Sequence, residues 1–392
     1  MPNKYIPLSE PFFFKKDYNL LKKCIDDGWV STSGKFVDLF ENKISKYTGS
    51  KYSIATVNGT SALHISLKVA GVLENDEVIV SSLTFIAPIN AIKYNLANPI
   101  FMDVDNFGNI DEKKTIEFIL NETEYIKGIT FNKNTKKRIS AIIIVHVWGN
   151  AASFSELKLL CEKRNIKIIE DASESLGTFY TYGAFKDKHT GTIGSFGCLS
   201  FNGNKIITSG GGGMILTNKK LIAEKIRYYI NQSKDDSFNF IHNEVGFNFK
   251  LPNLNSALGL TQLEKIDLFI KKKRLIHKRY LNAVSKISGL RILSCPEYAK
   301  NNHWLNILNI DERIYHKSKK KLIKEFLDNN IQVRPIWHLN HLQKPYKTCQ
   351  SFKINFAKKF VKNCICLPSS FSLTKKEQSE IIKIMESKNG LG

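Results

Sequence analysis

Lys205 stands in the stretch SFNGNKIITSGGGGM, Ser200 to Met214, between a short hydroxyl-bearing strand and four consecutive glycines. A lysine amine becomes chemically useful when it condenses with a carbonyl, and pyridoxal phosphate (PLP) is the carbonyl most often held in this way. Such a site also needs donors for a phosphate, an acid for a pyridine nitrogen and room for the ring. Gly210 to Gly213 carry no side chains, so the chain after Lys205 can turn tightly and its backbone can approach a neighbour closely. The plain alternative, in a chain this rich in lysine, is a surface lysine beside a flexible loop, and the partners decide between the two.

Asp171 closes the apolar run IKIIED. A carboxylate at a strand end can pair with a pyridinium nitrogen and keep it protonated, which makes the ring an electron sink; it can also simply cap a turn. The segment NGTSALHISLKVAG, Asn58 to Gly71, follows a strand at Lys51 to Val57 and places Gly59, Thr60 and Ser61 where a helix begins. The free N–H groups and the positive dipole end of that helix suit an anion, although an ordinary N-cap has the same appearance. Phe85 follows the strand-like run that ends at Ser81, and its ring fits against a planar cofactor or in a core. Between Asp171 and Lys205 there is room for a short hairpin, Tyr180 to Thr192, and one further strand, Phe196 to Phe201, so both residues can face one cleft.

The elements that must position these residues alternate. Strand-like runs at 77–81, 99–104, 141–147 and 167–171 are separated by helical runs near 88–96, 111–121 and 153–165. This pattern predicts an α/β domain with a mainly parallel sheet, helices on both faces and functional residues at the carboxyl ends of the strands. A strand at 214–217 and a helix at 219–230 complete it, and Asn231 to Pro252 is polar and aromatic without period, as in a long functional loop. A long helical pattern from Asn255 to about Ile287 leads to a second domain that mixes strands at 302–309 and 332–337 with helices at 318–329 and 374–386. The expected division is a large domain over 1–254, including an N-terminal helical segment, and a linker helix with a smaller α+β domain over 255–392.

With 392 residues and 42% hydrophobic composition the chain suits a two-domain globular enzyme. The longest apolar run, Ala141 to Val145, is far too short to span a bilayer, and the N-terminus lacks a signal-peptide core, so the expected location is cytoplasmic with no membrane partner. Seven scattered cysteines read as reduced thiols; Cys364 and Cys366 have the wrong spacing for a zinc knuckle, and no metal is expected. The 58 basic residues outweigh 36 acidic ones and give a formal charge of +22. The basic clusters Lys271–Arg274 and Lys319–Lys321 lie in helical patterns without interleaved aromatics, which favours solvated helix faces over a nucleic-acid surface. A basic surface also favours the approach of an anionic small substrate.

Taken in order, NGTSALH (58–64), SLTFIAPINAI (82–92), EDASESLG (170–177), SFNGNKIITSGGGGM (200–214), GFNFKLPNLNSALG (246–259) and RPIWHLNH (334–341) resemble the DegT/DnrJ/StrS group of nucleotide-sugar aminotransferases. The resemblance spans nearly the whole chain and implies the PLP-dependent transferase fold of type I, like that of aspartate aminotransferase. It implies that Lys205 holds PLP, that Asp171 pairs with the ring nitrogen, that Gly59, Thr60, Ser61 and Ser200 bind the phosphate, and that Phe85 stacks on the ring. Glu174 matches a residue lying near cofactor or sugar. Asn248 matches an asparagine contributed to the phosphate of a neighbouring subunit, which implies a homodimer with shared active sites. One departure is Lys250, where relatives often carry arginine; the two are not equivalent at bidentate sites.

Within the group, IPLSEP near the start and GWVSTSGKFVDLFE at 28–41 look most like aminotransferases acting on UDP-2-acetamido-4-keto-6-deoxy sugars in legionaminic acid or bacillosamine pathways, with L-glutamate as donor. GDP-perosamine synthases are similar and come second. A PLP-dependent sugar dehydratase on the same scaffold would carry histidine in place of the lysine, and a regulatory protein that kept only the fold would lose Lys205 or Asp171; here both are present.

Overall fold

The structure, a computed structural model, describes residues 5–387. The strands of the first part of the chain are β1 (Tyr52–Thr56), β2 (Glu77–Ser81), β3 (Asn98–Met102), the hairpin β4 (Thr123–Ile126) and β5 (Ile129–Asn132), β6 (Ile139–Val145), β7 (Lys167–Asp171), β8 (Phe179–Tyr180), β9 (Phe196–Ser200) and β10 (Gly213–Thr217). They are followed by β11 (Leu290–Ile292), β12 (Ala299–Lys300), β13 (Asn306–Ile310), β14 (Arg334–Pro335), β15 (Ser351–Phe352) and β16 (Cys364–Leu367). The large sheet has the order β1-β10-β9-β7-β6-β2-β3-β15. Within it β10 runs against both its neighbours and the other strands run parallel.

Such a sheet must be covered on both faces, and its sequence shows how. Val78 and Val80 of β2, with Ala141 and Ile143 of β6, face a core that includes Leu63, Ile65, Ile89 and Ile92 from the helices Gly59–Val69 and Ala87–Tyr94. The alternate residues Ile79, Ile142 and Ile144 face Phe118, Ile119 and Leu157 from the helices Glu112–Asn121 and Ser155–Lys163. Because every strand of this sheet except β10 runs in the same direction, their carboxyl ends lie along one edge, where the connections after β1, β2, β6, β7 and β9 emerge.

The smaller sheet, β11-β13-β16-β14, is antiparallel and has its own core with Ile276, Tyr280, Leu322, Phe326 and Ile381. The long helical pattern beginning at Asn255 is two helices, Asn253–Leu263 and Ile266–Val284, separated at Lys265 (φ −108°, ψ 6°). Ala257, Leu260, Ile266 and Ile270 belong to the large core, whereas Ile276, Tyr280 and Val284 belong to the small one. The transfer between cores therefore lies inside the second helix. Two crossings also link the halves: Ile6 bridges Ile331 of the small domain, and β15 pairs with β3 at the edge of the large sheet. Among the described residues no helix is long and apolar enough to cross a membrane.

Candidate active site

At the carboxyl edge of the large sheet, the ends of β1, β7 and β9 converge on a cavity of about 290 Å³. Gly59, Thr60, Phe85, Asp171, Glu174, Ser200 and Lys205 all line it. The sequence-predicted set is thus brought together except for Ser61 and Asn248. Ser61 is buried, and its amide donates to the side chain of Asn58 at 2.7 Å. Asn248 lies in the segment that bridges back to Asn231.

The connection from β9 to the antiparallel β10 carries Lys205, whose amide donates to the Asn202 carbonyl at 3.0 Å. The lysine side chain is largely enclosed; its Nζ lies 3.8 Å from Glu174 Oε1 and 4.3 Å from the centre of the Trp304 ring. The four glycines do different things. Gly210 (φ +78°) and Gly212 (φ +155°) adopt backbone that a side chain disfavours, and a Cβ on Gly213 would stand 2.4 Å from the Asn58 carbonyl oxygen. This close approach locks the start of β10 against the start of the helix Gly59–Val69. In that helix the Ser61 and Ala62 amides are taken by Asn58, whereas among the described residues no acceptor meets those of Gly59 and Thr60. These amides, with Ser200 opposite, form an open anion cradle at the positive end of the helix dipole.

Asp171 is buried, with Ser173 as its hydrogen-bond partner. Burial raises its pKa above the usual carboxylate range, opposed by Ser173 and by the charge of Lys205. A cationic ring nitrogen against this carboxylate would restore its charged form, so the site suits a pyridinium. Glu174 is raised to about 7, chiefly by burial, against the pull of Lys205 and of the Trp148 amide, which donates to it at 2.7 Å. Behind them the buried pair His146 and Glu170 fixes the loop after β7. Glu170 accepts from the amides of Gly191, Ile193 and Gly194, and His146 Nδ1 accepts from Ala152, so Nε2 is the donor to Glu170 at 2.9 Å.

Three tryptophans complete the site that sequence reading did not assign. Trp304 and Trp337 line the cavity, and Trp148 stacks on Trp337 with centroids 5.9 Å apart. Trp304 is held by Asn302, whose side chain accepts from the Trp304 amide and donates to the carbonyls of Glu174 and Leu176. Trp148 follows β6 at the functional edge and has φ +56°, a strained backbone of the kind found at binding sites; its place after a predicted strand was a usable signal. Trp337 lies within RPIWHLNH. Trp304 had no such signal, because the small domain brings it in.

The DegT/DnrJ/EryC1/StrS aminotransferase family matches residues 14–386. The chain belongs to that family. It is a PLP-dependent sugar aminotransferase, and the cradle, the buried acid and the enclosed lysine fit the cofactor. Similar proteins include EpsN of Bacillus subtilis, named as a candidate pyridoxal phosphate-dependent aminotransferase, 33% identical over 98% of this chain and 95% of that one. GDP-perosamine synthase of Escherichia coli O157:H7 is 32% identical over 88% of this chain and 87% of its own. The fold matches Helicobacter pylori PseC, an aminotransferase involved in the biosynthesis of pseudoaminic acid, with a TM-score of 0.87 at 23% identity over 98% of both chains.

Proposed function

We propose that this aminotransferase moves the amino group of L-glutamate to C4 of a nucleotide-linked 4-keto-6-deoxy sugar, with UDP-2-acetamido-2,6-dideoxy-4-keto-hexose as the first candidate, in legionaminic acid or bacillosamine-type glycan biosynthesis. The observation that carries this reading is the position of Lys205 Nζ, 4.3 Å over Trp304 and 3.8 Å from Glu174, in one cavity with Asp171 and the open amides of Gly59 and Thr60.

PLP, when bound, supplies an electron sink for the carbon that loses or gains a proton. Gly59, Thr60 and Ser200 would hold its phosphate, Asp171 its ring nitrogen, and Phe85 a ring face. Lys205 anchors the cofactor through its amine and, once released, carries a proton from the amino acid's alpha carbon in the first half-reaction and to sugar C4 in the second. Glu174 holds the Lys205 amine in place and, with a pKa of about 7, can take up or give up a proton near neutrality. Trp304 and Trp337 offer aromatic faces and exclude water.

A second reading, the GDP-linked 4-keto sugar, is favoured by the relatives: GDP-perosamine synthases of Escherichia coli, Vibrio cholerae and Caulobacter vibrioides are 30–33% identical over 87–95% of this chain. Incubation with PLP, L-glutamate and each keto sugar, followed by mass spectrometry, decides between them. An aminated product from one nucleotide series is expected, absent with Lys205→Ala. If cofactor-loaded protein left both series unchanged, the proposal would fail.

A further inference from the structure

His277, Cys295 and His303 come from three separate parts of the small-domain side of the molecule: the helix Ile266–Val284, the connection after β11, and the segment before β13. Each offers a ligand atom within 4.8 Å of the others, and all three residues are half-buried. The two imidazoles are stacked with centroids 4.0 Å apart, and Cys295 Sγ lies 3.6 Å from His303 Nδ1.

The surroundings prepare these side chains as ligands. Ser369 Oγ donates to the Leu367 carbonyl, so it accepts from Asn306 Nδ2 at 2.9 Å, and the Asn306 carbonyl oxygen is thereby turned to His277. His277 Nδ1 must donate to that oxygen across 2.8 Å, which fixes the tautomer and leaves a lone pair on Nε2. A hydrogen bond from the far ring nitrogen is how metal-binding histidines are usually oriented.

We propose that His277, Cys295 and His303 form a binding site for a zinc-type ion, a borderline-soft divalent metal that takes one thiolate and two neutral imidazoles. The Cys295 proton leaves to solvent on binding, and the thiolate supplies the negative charge that offsets nearby Lys273 and Arg274. No carboxylate belongs to the cluster, which disfavours hard cations such as magnesium or calcium. A tetrahedral zinc ion with bonds of about 2.0–2.3 Å holds its ligands roughly 3.3–3.8 Å apart. Cys295 Sγ and His303 Nδ1, 3.6 Å apart, already meet this spacing, and all three ligand atoms lie within 4.8 Å of one another. Solvent takes the fourth position. The site stands one residue from Trp304, which lies over Lys205. The three ligands share no short spacing, so no motif marks the site in the sequence.

The test uses tag-free holoenzyme freed of excess PLP, dialysed against zinc chloride, with bound metal measured by elemental analysis. One zinc per chain is expected. His277→Gln keeps a donor for Asn306, Cys295→Ser keeps the size, and His303→Asn suits the left-handed backbone there (φ +52°). Each should bind zinc about a hundredfold more weakly or worse, since even losing an outer partner costs up to that much. Cys349→Ser, at a thiol elsewhere, should bind as the unaltered protein does. A second measurement needs no variant: zinc should slow alkylation of Cys295 and leave Cys349 unaffected. Uptake by the unaltered protein no greater than that of the triple variant, or unchanged alkylation of Cys295, would overturn the site.

Discussion

Glu174 shows how one side chain can report on the whole cavity. Its folded-state pKa of about 7 exceeds the ordinary 4.5 mainly because burial penalises the charged form. The folded protein therefore keeps a proton that the unfolded chain releases, and stability falls as pH rises from 4.5 to about 7. The lost stability amounts to roughly 3 kcal/mol above that window, the pull of Lys205 being already contained in the value of about 7. Glu174→Gln cannot titrate, so in cofactor-free protein its unfolding free energy should gain on that of the unaltered chain by about this amount between pH 4.5 and pH 8. Urea unfolding at both pH values measures the difference, and parallel pH profiles for the two proteins would refute it.

Among the elements, the antiparallel β10 and the glycines before it decide whether the anion cradle exists. Gly213→Ala would drive a Cβ to within 2.4 Å of the Asn58 carbonyl and 2.7 Å of the Gly59 amide, so the helix start must shift. Overpacking of this kind costs about 1–3 kcal/mol, and PLP affinity should fall with it. Gly211→Ala meets nothing within 4 Å and should be neutral in unfolding; equal unfolding of the two variants would show that β10 does not brace the cradle. From the sequence the two glycines are indistinguishable. What was legible were features with a local period or a strand-end position: the alternating elements, Lys205, Asp171 and the start of the helix at Gly59. The approach of Trp304 depends on contacts between distant segments, which neither period nor propensity encodes, whereas the hairpin β4–β5 closes locally through Lys127 and Gly128, both at positive φ.

At the scale of the whole molecule, the segment between Asn231 and Pro252 is the feature the isolated chain explains least. Phe238, Phe240 and Val245 are 88%, 71% and 81% exposed, an apolar surface of the kind that marks an interaction face. The end of the segment is nevertheless anchored beside the cofactor cradle: the Val57 amide donates to the Phe249 carbonyl at 2.9 Å, and Lys250 bridges Thr56. Asn248 does not line its own chain's cavity, which fits a role in a partner's site. If two chains share their sites, Lys205→Ala and Asn248→Ala proteins, inactive or impaired alone, should complement each other when mixed and allowed to exchange subunits. In each mixed dimer one site would combine Lys205 of one chain with Asn248 of the other, while the second site would lack both. Random exchange at equal amounts makes half the dimers mixed, so about a quarter of all sites should be intact. Turnover near a quarter of the unaltered enzyme's is therefore expected. If exchange is shown by mass labelling and turnover stays at the level of the separate variants, Asn248 serves its own chain or none, and the shared site is wrong.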